Sequence, residues 1–113
     1  MKYMMLIHQT TTAAEVASLP QDEQQALYAA WMAVNETPGV TPGLQLQPAE
    51  TATTVRVQDG ETLVTDGPYA ELKEAFGGYL VFEADDLDAA IELASRIPAA
   101  REGAIEVRPV VEW

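Results

Sequence analysis

"GGYLVFEADDLDAAIELASRIPAAREGAIEVRPVVEW", residues 77–113, decides the fold. Its first eight residues, 77–84, are a dense apolar run that reads as a buried strand. Asp85 or Asp86 then supplies a helix cap. Leu87, Ala90, Ile91, Ala94 and Ile97 recur at helical spacing and are predicted to face inward, and Pro98 stops the helix. Residues 103–113 form a closing strand with Ile105, Val107, Pro109 and Val111 on one side. The proline in it favours an edge or a strand end. The stretch is thus one β-α-β unit.

A second such unit precedes it. "KYMMLIH", residues 2–8, is a buried strand bounded by polar residues. Residues 9–18 are small and polar, a loop with room for one helical turn. Residues 18–36, "SLPQDEQQALYAAWMAVNE", read as a helix. Ser18 is placed to cap it, Pro20 suits its first turn and Gln21 has capping-box spacing. Asp22 and Glu23 lie near its positive end, and Leu27, Ala30, Trp31 and Val34 form its apolar stripe. The Pro- and Gly-rich residues 37–48 end that helix and leave a short strand near Leu44–Leu46. Between the two units, Thr53–Gln58 and Glu61–Thr65 flank Asp59-Gly60, a two-residue hairpin turn. Alternation of Val55 and Val57 with Thr54 and Arg56 gives the hairpin one wet face. The order β-α-β, inserted β-hairpin, β-α-β predicts an α+β, ferredoxin-like sandwich. It is read as a single domain over residues 1–113.

The composition narrows the chemistry. Of 113 residues, 48% are apolar, none is cysteine and His8 is the sole histidine. Disulfides and thiolate chemistry are excluded. One imidazole is a poor basis for a zinc site, and no GxSxG pattern supports a serine triad. Gly77-Gly78 lacks phosphate-loop spacing and precedes a strand, so no cofactor is expected. Six basic residues against eighteen acidic ones give a net charge of −12, which disfavours nucleic acid and anionic lipid as partners. No apolar run reaches the roughly 18 residues of a membrane span. The opening "MKYMMLIHQT" is too short for a signal peptide, which points to the cytoplasm.

Two helices cover only one side of a sheet, yet two strands are apolar on both. Tyr3, Met5 and Ile7 oppose Met4, Leu6 and His8, and Tyr79 and Val81 oppose Leu80 and Phe82. Such a sheet needs cover on both faces. The expected partner is a second copy of the chain, with any pocket lying between sheet and partner.

At "DGPYAELKEAFGGYLVF", residues 66–82, a specific resemblance emerges. This run, with "MKYMMLIH" and "ATTVRVQDGETLVTDGP", is similar to the DGPF subgroup of YCII-related proteins, which carries a run close to DGPFAETKE before Gly-Gly. The likeness covers nearly the whole chain. Tyr69 stands where phenylalanine is usual, and Leu72 where threonine is usual. The resemblance implies a ferredoxin-like domain of the dimeric α/β-barrel type. For related proteins it implies a His-Asp pair in a pocket, and for the subgroup an association with sigma factors and hence with regulation.

Six residues are candidates for a site. His8, the only imidazole, ends the first strand and is the favoured general acid–base group. Asp66 either shapes the Asp-Gly-Pro turn or acts as a base or a partner orienting His8. Tyr69 and Tyr79 offer rings and hydroxyls to a small-molecule ligand. Lys73 and Arg108 offer positive charge, although Arg108 shares a strand face with Glu106 and a cross-strand ion pair is its plainer role. Two function classes follow. One is a dimeric small-molecule-binding protein with acid–base activity. The other is a non-enzymatic interaction protein serving sigma-factor-dependent transcription.

Overall fold

The computed structural model describes residues 1–70 and 75–113. The elements run β1 (Lys2–Gln9), α1 (Ala13–Ala17), α2 (Gln21–Asn35), β2 (Val40–Gln45), β3 (Thr53–Gln58), β4 (Glu61–Asp66), β5 (Ala75–Glu83), α3 (Leu87–Arg96) and β6 (Ala104–Pro109). Short 3-10 turns lie at Ala49–Thr51 and Pro98–Arg101.

Four strands form one antiparallel sheet in the order β2-β5-β1-β6, and β3 pairs with β4 in a separate two-stranded sheet. The chain is an α+β protein with antiparallel sheets, and its topology is compatible with a ferredoxin-like plan. Both edge strands carry a proline, Pro42 in β2 and Pro109 in β6. That is where a missing N–H does least damage and where it discourages further strand pairing.

The core lies between the sheet and its helices. Tyr3, Met5, Ile7, Leu80 and Phe82 present one sheet face to Val34 of α2 and to Ala90, Leu93, Ala94 and Ile97 of the α3 region. Burying a side chain of this size contributes about 1.5–3 kcal/mol. Asp86 caps α3 by accepting from the Ala89 amide at 2.9 Å. The inward stripe of α3 differs from the expected one at three positions. Leu93 is fully buried, whereas Leu87 and Ile91 are half exposed. The sheet touches an arc centred on Ala90, Leu93 and Ala94, and Leu87 and Ile91 sit at its margins.

The N-terminal helices also correct the reading. Ser18 does not cap α2; its hydroxyl donates to the Glu15 carbonyl and closes α1 instead. Pro20 occupies the α2 N-cap position without a side-chain bond. α1 has its own capping box, with the Thr12 hydroxyl accepting from the Glu15 amide and the Glu15 carboxylate accepting from the Thr12 amide. The second strand begins at Val40, earlier than its apolar residues indicate, because Val40 packs beside Phe82. Val111 lies past the end of β6 and is exposed.

The hairpin follows its turn chemistry. Asp59 and Gly60 both have positive φ, 51° and 79°, the pair that a type I′ turn requires. Its base is closed by the Gly67 amide donating to the Ala52 carbonyl and by the Thr54 hydroxyl donating to the Gly67 carbonyl, both at 2.8 Å. None of its strand residues is buried. The radius of gyration is 16.2 Å, against about 13 Å for a compact chain of about 100 residues. The extents of 48 × 42 × 18 Å describe a flat body.

Candidate functional site

The face of the larger sheet that points away from the helices carries the acid–base groups. β1 alternates, so Tyr3, Met5 and Ile7 enter the core and Lys2, Met4, Leu6 and His8 point the other way. A bulge lies just before His8: Ile7 pairs with Gly78 and His8 with Phe76, leaving Gly77 as the extra residue. Bulges of this kind re-aim a side chain. Here the His8 ring lies 5.7 Å from the Phe76 ring, tilted by 48°. On the other side β6 passes close against the backbone. A Cβ on Gly103 would stand 2.0 Å from the His8 carbonyl oxygen, so only glycine fits there.

The carboxylate that meets His8 is Glu106. Its Oε1 lies 3.5 Å from His8 Nε2, and its Oε2 accepts from the Arg108 guanidinium. The hydrogen bond from Arg108 is the chief reason that the Glu106 carboxyl is held below its usual range. Lost hydration is the next largest influence and opposes it, while the Arg108 charge and His8 add lesser lowering effects. An ionised Glu106 favours the imidazole proton on Nε2 and leaves Nδ1 as the acceptor. The three side chains therefore form a chain of guanidinium, carboxylate and imidazole able to orient a general base.

The other candidates are dispersed. Asp66 ends β4 opposite Thr53 and makes no hydrogen bond to His8 or to any other described residue. The turn after it relies on Gly67, whose φ is +99°. Tyr69 is 76% exposed, and the Arg56 guanidinium lies over its ring at 4.8 Å, so it braces the hairpin base by a cation–π contact. Tyr79 sits half-buried opposite Leu6, with its ring against Gly43. Lys73 and Leu72 lie outside the described residues. Arg108 is paired with Glu106 within one strand rather than across strands. Glu106 is the residue that sequence reading did not place beside His8. Its spacing of two from Arg108 put both on one face, but only the adjacency of β6 to β1 brings that face to His8.

The helix side of the sheet holds a separate cavity of about 1150 Å³, reaching from Trp31 of α2 to Gly77 and Gly78 of β5. His8 and Asp66 are not among its walls. Among the described residues no three His, Asp or Glu side chains gather as a metal site, and no helix is long and apolar enough to cross a membrane.

Fold and site together define a class: an α+β protein whose larger antiparallel sheet carries helices on one face and an oriented imidazole on the other. Comparison with known families makes this specific. The chain belongs to the YCII-related family, whose domain matches residues 1–113. It is similar to an uncharacterised protein of Rhizobium meliloti (strain 1021), with 32% identity over 114 residues, 97% of this chain and 92% of the relative.

Proposed function

We propose that the chain acts as a homodimer of the ferredoxin-like, dimeric α/β-barrel type, in which the open sheet faces meet and enclose a small-molecule chamber beside His8. The supporting observation is the charge balance of that face. Lys2 is register-paired with Glu83, and Arg108 with Glu106. In a chain of net charge −12, the described groups at this apolar face, which bears Met4, Leu6, Tyr79 and Val81, carry no net negative charge: Glu83 is paired with the amino terminus and Glu106 with Arg108. Two copies are thus free to approach there without the repulsion that the rest of the surface imposes.

Geometry adds a requirement. Four strands spaced about 4.8 Å apart, each contributing about six residues at roughly 3.3 Å, offer a face on the order of 400 Å². A stable interface needs about 800 Å² per partner. The hairpin, with Val55, Val57 and Val64 exposed, is the source of the remainder. In the chamber His8 Nδ1 acts as the proton acceptor, oriented by Glu106, and Tyr79 contributes wall and hydroxyl. Asp66 and Tyr69 belong to the hairpin side of the same chamber, where a partner's approach brings the DGP segment towards the sheet.

Sedimentation equilibrium tests the assembly. The wild type is expected to be dimeric at micromolar concentration, and Leu6→Glu monomeric. A wild type that stays monomeric at that concentration removes the chamber. Acid–base activity is tested separately: His8→Ala and Glu106→Gln abolish turnover of a substrate that the dimer binds.

A second reading, an interaction protein without turnover, rests on the exposure of the hairpin and of Asp66. It fits the regulatory role that resemblance to the sigma-factor-associated subgroup implies. It predicts that the Val55→Asp change abolishes partner binding while the dimer persists.

A further inference from the structure

The cavity on the helix side shares Tyr79 with the proposed dimer chamber but does not include His8, Glu106 or Leu6, and it has an unusual cause. Leu27, Ala30 and Trp31 form the apolar stripe of α2, yet all three are only half-buried, and Val34 is the one buried residue of that 15-residue helix. The stripe therefore packs at its C-terminal end, where Val34 is buried and Trp31 lies against the core, and it stands off the sheet at Leu27 and Ala30, which face the cavity of about 1150 Å³. Protein interiors are close-packed, and an unfilled apolar gap forfeits dispersion contacts along its walls. The space is somewhat larger than the roughly 300–1,000 Å³ typical of small-molecule sites.

The sheet-side wall is formed by Ile7, Gln9, Leu44 and Tyr79 together with Gly77 and Gly78, with the Gln9 side chain beside Gly77 and the Leu44 backbone beside Gly78. Charge chemistry narrows the occupant. The Glu15 carboxylate accepts from the Thr12 amide, Glu102 accepts from the Thr11 hydroxyl, and Arg96 pairs with Glu92 at 3.1 Å. The other two charged groups on the rim, Glu23 and Arg101, are exposed and of opposite sign. With Arg96 paired to Glu92, the rim is net acidic, but every charged group on it is exposed to solvent at the mouth and none is buried within the cleft.

We propose that the cleft between α2 and the β5–β2 side of the sheet is a binding site for an uncharged, largely apolar small molecule lying against Leu27, Ala30 and Trp31. The site is separate from His8 and does not depend on the dimer.

The uncharged probe N-phenyl-1-naphthylamine tests it directly. Trp31 and Trp113 are the two tryptophans, so a Trp113→Phe background leaves Trp31 as the sole indole energy donor. Saturable binding of one probe per chain, with energy transfer from Trp31, is expected. Gly77→Leu then weakens binding at least tenfold. Its Cβ meets only the Gln9 side chain, 3.3 Å away at the nearest, and Gly77 does not have positive φ, so the fold tolerates it. Ala30→Leu fills the cleft from the helix side, keeps helix propensity, and is expected to weaken binding similarly. Leu6→Glu, on the far side of the sheet, leaves binding unchanged. Non-saturable binding overturns the proposal. So does wild-type affinity in both cleft-filling variants, or a loss seen only with Leu6→Glu, which would put the probe on the open face.

Discussion

Met5 and Leu6 are neighbours in one strand and similar in hydrophobic character, but they differ in cover. Met5 lies in the core beneath the helices, and Leu6 stands on the open face beside Tyr79. The closed face is stabilised within the chain, by burial that does not depend on concentration. On the open face no layer of the described residues covers the side chains, and Glu106 is paired with Arg108 there. In the proposed dimer, such a sheet divides its stability between folding and assembly. The hairpin lies further along the same gradient: an isolated two-stranded hairpin is marginal in water, and this one has no buried strand residue.

The contrast breaks most readily at matched leucines. Leu80→Ala removes a side chain that is 2% exposed and is expected to cost about 2–5 kcal/mol in urea denaturation, by the same amount at every protein concentration. Leu6→Ala is expected to cost less and in a different manner: its effect grows with protein concentration, because it weakens an association that raises the unfolding midpoint by mass action. Equal, concentration-independent losses at the two positions would erase the distinction between the faces.

Two smaller changes sharpen it. Gly103→Ala drives a methyl into the His8 carbonyl and is expected to cost roughly 1–3 kcal/mol, as overpacking does. It disturbs both faces, since it moves β6 against β1, and NMR shifts of His8 should report it. Asp86→Ala removes the α3 cap and is expected to cost about 1 kcal/mol. That change touches only the closed face, so the monomer–dimer equilibrium should not move.

Much of this arrangement was legible in the chain. The Asp59-Gly60 turn, the Asp86 cap and the two-sided apolar character of β1 and β5 follow from local chemistry, which acts over a few residues. Strand order does not. The adjacency of β6 to β1 is a long-range choice, and it alone makes Glu106 rather than Asp66 the carboxylate beside His8. Ser18 misled for a related reason: with two helices separated by three residues, its hydroxyl has two ends to serve, and the α1 carbonyl is nearer. The capping box Thr12–Glu15 was written in the sequence, but α1 is too short to declare itself by hydrophobic period. The cavity was hidden because Leu27, Ala30 and Trp31 follow a core pattern, and pattern cannot distinguish a filled interior from a lined cleft.

The smallest expected effect concerns the charge chain of the open face. Glu106 is held below its usual range chiefly by the hydrogen bond from Arg108. A carboxyl depressed in the folded state contributes stability that is fully present above its unfolded value of about 4.3. The contribution fades as pH falls from there through the folded value. Both partners are substantially exposed, so solvent screens the pair and its contribution is small. Thermal unfolding followed from pH 6 down through the acid range should therefore show wild type and Arg108→Gln differing most near pH 6 and converging as Glu106 protonates. The reverse trend, a gap that widens in acid, would mean that Arg108 acts elsewhere on this face, and the oriented His8 would lose the anchor of its carboxylate.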